Sequence, residues 1–161
     1  TLDAVQQTLA TFSGVRRRFQ LLGEVRGVTV IDDYAHHPTE IAATIAAARE
    51  RFLGRRLVVL FQPHTYSRSA YLLEGFQTCF HDADQLYFAD TYAARETPDA
   101  GLAAVDLAAR ITKPGAIYLG SLDEAAKRVA ESAKDGDVLF TMGAGDIEQT
   151  GPTIVAHLEE S

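Results

Sequence analysis

The sequence predicts an α/β fold, a Rossmann-like three-layer sandwich of about six strands, mostly parallel, with one antiparallel strand from an N-terminal hairpin. Three observations predict it. Two short β-prone runs, 19–25 and 28–31, are separated only by Arg26-Gly27, the spacing of a tight antiparallel hairpin. From residue 38 onward single helix-like and strand-like segments alternate, which calls for right-handed parallel crossovers. Runs such as Leu57-Val58-Val59-Leu60-Phe61 are apolar at every position, the pattern of strands covered on both faces.

The elements follow in order. Leu2, Val5, Leu9 and Phe12 recur at helical spacing and stop at Ser13-Gly14, so 2–12 reads as a helix ended by glycine. After the hairpin, Pro38 suits a first helical turn, and Ile41, Ile45, Ala48 and Phe52 share one face of a helix over 38–52. Strand 57–61 leads to a helical stretch marked by Leu72, Phe76, Cys79 and Phe80, then to strand 85–89. Residues 103–111 read as helix and 116–119 as strand. Ser121 and Glu124 have capping-box spacing ahead of a helix bearing Ala125, Val129 and Ala133, and 138–141 is the last strand. No linker, low-complexity tract or internal repeat interrupts the run, so 1–161 reads as a single domain.

Composition narrows the function classes. With 161 residues, 47% hydrophobic and 23% charged, the chain can bury one core of a soluble globular domain. No apolar run approaches the roughly 20 residues needed to cross a bilayer, and the start lacks a basic segment followed by an apolar one, so neither membrane insertion nor export is expected. A formal charge of −7 speaks against nucleic acid as a partner, since phosphate backbones are held by excess Lys and Arg. The lone Cys79 fits a core position in a reducing cytoplasm. The first residue is Thr, and the opening helix has no loop before it, which reads as a segment of something longer.

In an open parallel sheet, ligands bind beyond the carboxyl ends of the strands, where loops converge and helix N-termini present N–H groups. Four polar segments fall there: 32–38, 62–68, 90–96 and 143–146. The adjacent Asp32 and Asp33 suit a hard cation, ribose hydroxyls, or plain turn chemistry. His36 and His37 have no Cys or Glu at ligand spacing, so hydrogen bonding and substrate positioning suit them better than zinc. The fork of Arg68 matches a carboxylate, with a solvated surface Arg as the plain alternative. Gly143-Ala144-Gly145 admits an anion to the backbone or simply turns the chain. No Gly-rich loop followed by Lys and Ser or Thr is present, so the chain carries no phosphate grip of the usual ATPase kind.

Taken together, Gly14-Val15-Arg16-Arg17-Arg18-Phe19, then Asp32 to Glu40, Phe61 to Arg68, Tyr92 to Glu96 and Gly143 to Ile147 resemble the C-terminal domain of the Mur ligases. Asp32-Asp33-Tyr34-Ala35-His36-His37-Pro38 and Phe61-Gln62-Pro63-His64, with Tyr66 and Arg68, resemble the alanine-adding branch of that family. The murein-tripeptide recycling branch shares the first block and lacks the second. The resemblance implies a three-domain enzyme of the bacterial cytoplasm that uses ATP and Mg2+ to join L-alanine to UDP-N-acetylmuramate in peptidoglycan biosynthesis. An N-terminal domain would hold the UDP-sugar, and a central ATPase domain would hold the phosphates and the metal. This domain would close over both and be inactive alone, with no complete catalytic set and no metal ligands of its own.

Carried over by position, Arg18, Asp33 and Asp32 would face the nucleotide, Asp33 on the ribose. His36 and Arg68 would bind alanine, with Tyr34, His64 and Thr65 lining the same cleft. Thr65 is a departure, because the family often has Arg there, and it shifts the load of a substrate carboxylate onto Arg68. The rivals from other classes are a signalling receiver and a noncatalytic α/β binding module. A receiver needs a phosphorylatable Asp ending the third strand, where Phe61-Gln62-Pro63 stands instead.

Overall fold

A computed structural model describes residues 1–11 and 14–160. Phe12 and Ser13, the expected end of the first helix, lie outside the described residues, as does the Leu9 side chain. The chain runs α1 (Leu2–Thr11), β1 (Gln20–Val25), β2 (Val28–Asp33), α2 (Pro38–Arg51), β3 (Leu57–Phe61), α3 (Tyr66–Tyr71), α4 (Leu73–Cys79) and β4 (Gln85–Ala89). It continues through α5 (Ala104–Ala108), β5 (Ala116–Gly120), α6 (Leu122–Ser132), β6 (Val138–Met142) and α7 (Thr150–Glu160), with 3-10 turns at Pro98–Ala100 and Asp146–Gln149.

The six strands form one sheet in the order β1-β2-β6-β3-β4-β5. β1 runs antiparallel to β2, and every other pair is parallel, as the sequence predicts. Arg26 and Gly27 turn the hairpin with φ of 51° and 76°, left-handed values whose twist matches that of paired strands. α2, α4 and α5 cover one face, where Ile41, Ile45, Phe76 and Leu107 pack on Val59, Phe61, Phe88 and Phe140. α6 and α7 cover the other, where Ala125, Val129, Ile154 and Leu158 pack on Val30, Val58, Leu60 and Leu139. β2, β3 and β6 are buried at every position, which is why their sequences do not alternate.

Three elements differ from their expectation. The stretch marked by Leu72, Phe76, Cys79 and Phe80 is helical as expected, as α4, which buries Phe76 and Cys79, and a short α3 that the sequence reading lacks precedes it and holds Arg68 at the rim. Burial pushes the Cys79 thiol up to about 12, so it is a core group and not a nucleophile. The helix expected over 103–111 is confined to α5, and the Ser121 hydroxyl accepts the Glu124 N–H, one half of the expected box. α7 has no counterpart in the sequence reading, because Gly151 and Pro152 stand in its first turn and interrupt the periodicity of Ile154 and Leu158. Gly151 is required by packing, since a Cβ there would lie 2.2 Å from Leu22 Cδ1.

At the rim opposite the site, Arg56 forks onto Asp137 with contacts of 2.9 and 2.6 Å, and the Lys134 N–H donates to the same carboxylate at 2.8 Å. Burial opposes the charge of Asp137, yet the Arg56 fork and that N–H hold the carboxyl below its ordinary 3.8. A carboxyl depressed on folding adds stability above its unfolded pKa and loses it as pH falls through the folded value. Urea midpoints of the parent chain should therefore fall as the pH drops below about 4, and fall less in Asp137→Asn. Equal acid slopes would show that this pair does not govern the acid limb.

Candidate functional site

The parallel strands β2, β6, β3 and β4 all end at one rim. The chain leaves β2 and β3 toward the face of α2 and α4, and leaves β6 toward α7 on the opposite face, so a crevice opens where these exits diverge.

Asp32 and Asp33 end β2, and both side chains turn inward, at 2% and 3% exposure. Asp32 accepts from Arg17 Nε at 2.8 Å and from Thr141 Oγ1 at 2.7 Å, while the Arg17 guanidinium also donates to the Gly143 carbonyl at 2.7 Å. Arg17 thereby clips the loop before β1 to the ends of β2 and β6. Asp33 accepts from the N–H groups of Phe19 at 2.7 Å and Ala35 at 2.8 Å, and from Thr44 Oγ1 at 3.4 Å. The carboxylates expected to face the nucleotide are thus engaged with internal donors, Asp33 closing a turn with the Ala35 N–H and Asp32 in an ion pair with Arg17. Among the described residues, no three His, Cys, Asp or Glu side chains converge to hold a metal ion. The acidic pair does not fit a Mg2+ site in this domain.

Arg18 differs from Arg17 in being exposed. Both guanidinium groups sit over the Tyr34 ring, at 5.1 Å for Arg17 and 5.8 Å for Arg18. An exposed cation on an aromatic face at the rim fits a nucleotide phosphate or base.

The remaining candidates form a row across the rim. Tyr34 meets the edge of His36 at 5.3 Å, His36 lies 6.3 Å from His64, and His64 stacks on Tyr92 at 5.3 Å with planes 16° apart. His36 Nδ1 lies 3.0 Å from the Tyr34 carbonyl, so that nitrogen carries the hydrogen, and 3.4 Å from Glu40. Glu40 also accepts the His36 and His37 N–H groups. These contacts outweigh the burial that opposes its charge and keep Glu40 below the ordinary glutamate value. His37 is the N-cap of α2: its Nδ1 accepts the Thr39 N–H at 3.3 Å, and Glu40 closes a full capping box.

Arg68 Nη1 lies 3.4 Å from His64 Nδ1. Arg can only donate, so His64 Nδ1 accepts and the imidazole is neutral. Burial, with the Arg68 and His36 side chains beside it, pushes the His64 pKa down in agreement. Thr65 occupies the N-cap of α3 but makes no side-chain cap bond, and its Oγ1 lies 3.3 Å from Ser67 Oγ. Glu96 does the capping from a distant loop, accepting the Ser67 N–H at 2.9 Å and the Ser67 hydroxyl, which keeps its carboxyl low.

A cleft of about 550 Å³ opens beside this row, lined by Gln62, Asp90, Tyr92, Ser121, Asp146 and Thr150 among others. Gln62 closes its floor by donating to Asp146 at 2.7 Å and accepting the Ile147 N–H at 3.1 Å. That tie holds the Gly143-Ala144-Gly145 loop as a tight turn against β3.

The structure therefore brings together Tyr34, His36, His64, Thr65 and Arg68, with Arg18 adjacent, and buries Asp32 and Asp33 beneath them. Sequence reasoning gave no individual role to Arg17, Gln62, Tyr92 or Glu96. Tyr92 and Glu96 carry a detectable signal, an aromatic and a carboxylate in a strand-end segment, but no sequence spacing announces contacts 29 residues apart.

Residues 17–145 match the family described as Mur ligase, glutamate ligase domain. The chain is 46% identical over 160 residues to the UDP-N-acetylmuramate--L-alanine ligase of Geobacter sulfurreducens, covering 98% of this chain and 35% of that protein. It is 47% identical over 153 residues to the ligase of the same name from Desulfotalea psychrophila, covering 93% and 33% respectively. The chain thus spans about a third of the length of these relatives. Among solved structures, the UDP-N-acetylmuramate-alanine ligase of Thermotoga maritima superposes with a TM-score of 0.79 at 28% identity, over 99% of this chain and 34% of that one. A murein peptide ligase from Psychrobacter arcticus gives 0.74 at 26% identity, over 96% and 32%. With a family match over most of its length and relatives of this identity, the chain belongs to the Mur ligase family, as its C-terminal domain.

Proposed function

We propose that the full-length protein is a ligase that joins L-alanine to UDP-N-acetylmuramate, driven by ATP, and that this domain supplies the amino-acid side of the cleft. The observation that carries the reading is Arg68. Among the described residues its guanidinium meets no carboxylate of the chain, only His64 Nδ1, so the cation stands at the rim with its charge unanswered. A planar fork in that state suits the α-carboxylate of an amino acid. The names of the relatives supply the substrate pair.

In this reading the γ-phosphoryl group of ATP passes to an oxygen of the muramyl carboxylate, and ADP leaves. The alanine amine then attacks the acyl carbon, and collapse of the tetrahedral intermediate expels orthophosphate carrying the original carboxylate oxygen. Arg68 fixes the alanine carboxylate, the Thr65 hydroxyl offers it a second donor, and His36 and Tyr34 wall the cleft. Arg18 faces the nucleotide. Asp33 serves it indirectly, since its bond to the Phe19 N–H places the backbone next to Arg18. Phosphate grip and Mg2+ fall to the remainder of the full-length protein, and closure of this domain excludes the water that would hydrolyse the acyl phosphate.

The test is isotopic. With ¹⁸O in the muramyl carboxylate, the full-length protein should release ¹⁸O-labelled orthophosphate, and only when ATP, UDP-N-acetylmuramate and L-alanine are all present. Turnover giving unlabelled phosphate would remove the acyl phosphate. Equal phosphate release without the sugar nucleotide would remove the reaction.

A further inference from the structure

The loop after β4 lines the cleft through Asp90 and Tyr92 and grips the loop that carries His64, Thr65 and Arg68 at several points. The Tyr92 N–H donates to the Pro63 carbonyl at 2.9 Å, and His64 and Tyr92 form an isolated parallel bridge. The Tyr92 ring lies flat on the His64 imidazole. Behind Tyr92 stands Gly145, where a Cβ would lie 2.6 Å from Tyr92 Cγ, 2.7 Å from Tyr92 Cβ and 2.4 Å from Gln62 Oε1. Gly145 has φ of −92°, which any residue adopts, so its smallness serves space and not backbone conformation. The Leu102 N–H and the Glu96 carboxylate hold Tyr66 and Ser67 from the same side.

We infer that Tyr92 is a positioning residue for the amino-acid carboxylate: its ring fixes the His64 imidazole, His64 Nδ1 fixes the Arg68 guanidinium, and Gly145 leaves the room that the ring needs. The inference rests on the reading of Arg68 as the carboxylate binder. A guanidinium on a flexible stem loses binding energy to the rotamers it must give up, and an acceptor held rigidly beside it removes part of that loss in advance. The stack is what makes the acceptor rigid. Its hydroxyl has no part in this, so a phenylalanine ring serves equally.

The experiment compares variants of the full-length protein. Tyr92→Leu should raise the KM for L-alanine roughly five- to tenfold, the scale of one lost aromatic stack, while the KM for ATP changes less than about twofold. Tyr92→Phe should bring the alanine KM back to within about twofold of the parent. Gly145→Ala, remote from Arg68, should shift the alanine KM in the same direction as Tyr92→Leu by pushing the ring off His64. In ¹³C-histidine NMR spectra, assigned with His64→Gln, the His64 titration should move up toward the ordinary 6.5 in Tyr92→Leu and stay in place in Tyr92→Phe.

Arg68→Ala runs alongside as the control. If it leaves the alanine KM unchanged, the reading of the site fails, whatever Tyr92 does. If it raises the alanine KM while Tyr92→Leu and Gly145→Ala move neither that constant nor the His64 titration, the positioning role is overturned and the site reading stands. A Tyr92→Phe variant that behaves like Tyr92→Leu also overturns it. So does a loss spread equally over the alanine and ATP constants.

Discussion

Replacing Arg68 with alanine should raise the KM for L-alanine roughly a hundredfold in the full-length protein, while the KM for ATP moves less than about threefold. The asymmetry follows from what the variant leaves behind. An incoming carboxylate that has shed its water meets no cation, and breaking one side of such a charge-assisted pair costs about 3 kcal/mol, mainly through the partner left unpaired. Thr65, the neighbouring side chain in the proposed site, offers only a hydroxyl and cannot replace the lost charge. Arg68→Lys should recover part of the loss, since it restores charge without the planar fork. Steady-state kinetics with each substrate varied in turn decide the matter: equal changes in both constants would move Arg68 out of the amino-acid site.

Replacing Arg17 with methionine is expected to destabilise the chain by about 3 kcal/mol. The Arg17 and Asp32 side chains are 11% and 3% exposed, so the variant leaves a carboxylate in the interior with Thr141 as its remaining side-chain donor. The Gly143 carbonyl loses its partner at the same stroke. For a domain of this size that loss lowers the unfolding midpoint by roughly 6–12 °C. Adding Asp32→Asn should return much of it, because the neutral pair carries no stranded charge. Thermal and urea unfolding of the two variants test this, and a loss below about 1 kcal/mol in Arg17→Met would mean that Asp32 does not depend on Arg17.

How far the sequence could be read depends on which forces write themselves into it. The hairpin was legible because Arg26-Gly27 sits between two β-prone runs, and the buried strands because they are apolar throughout. α7 was not, since Gly151 and Pro152 answer to packing against Leu22 and to the first helical turn, and both resemble loop residues on paper. The short α3 was not, because Tyr66–Tyr71 buries only Ser69 and so carries no apolar stripe. Side-chain direction was the harder problem at the site. Asp32 and Asp33 present carboxylates at a strand end under any reading, and only the fold decides that both point inward. Arg16, Arg17 and Arg18 are interchangeable in a string of letters. The positive φ of Arg17, 57°, belongs to the turn that sends its side chain toward Asp32 and leaves Arg18 outside. Long-range contacts such as Glu96 on Ser67 and Gly145 behind Tyr92 leave no local trace at all.

The strand order has a consequence for synthesis. β6, the last of the six strands in chain order, is the one that joins β2 to β3. Without Val138–Met142 the strand pairing divides into two ribbons, β1 with β2 and β3 with β4 and β5, each with an unpaired hydrogen-bonding edge where β6 would lie, so a nascent chain at that stage is expected to expose both. The Arg17 contact to Gly143 and the Gln62 contact to Asp146 form across that same seam, so the rim takes shape in the step that zips the two ribbons together.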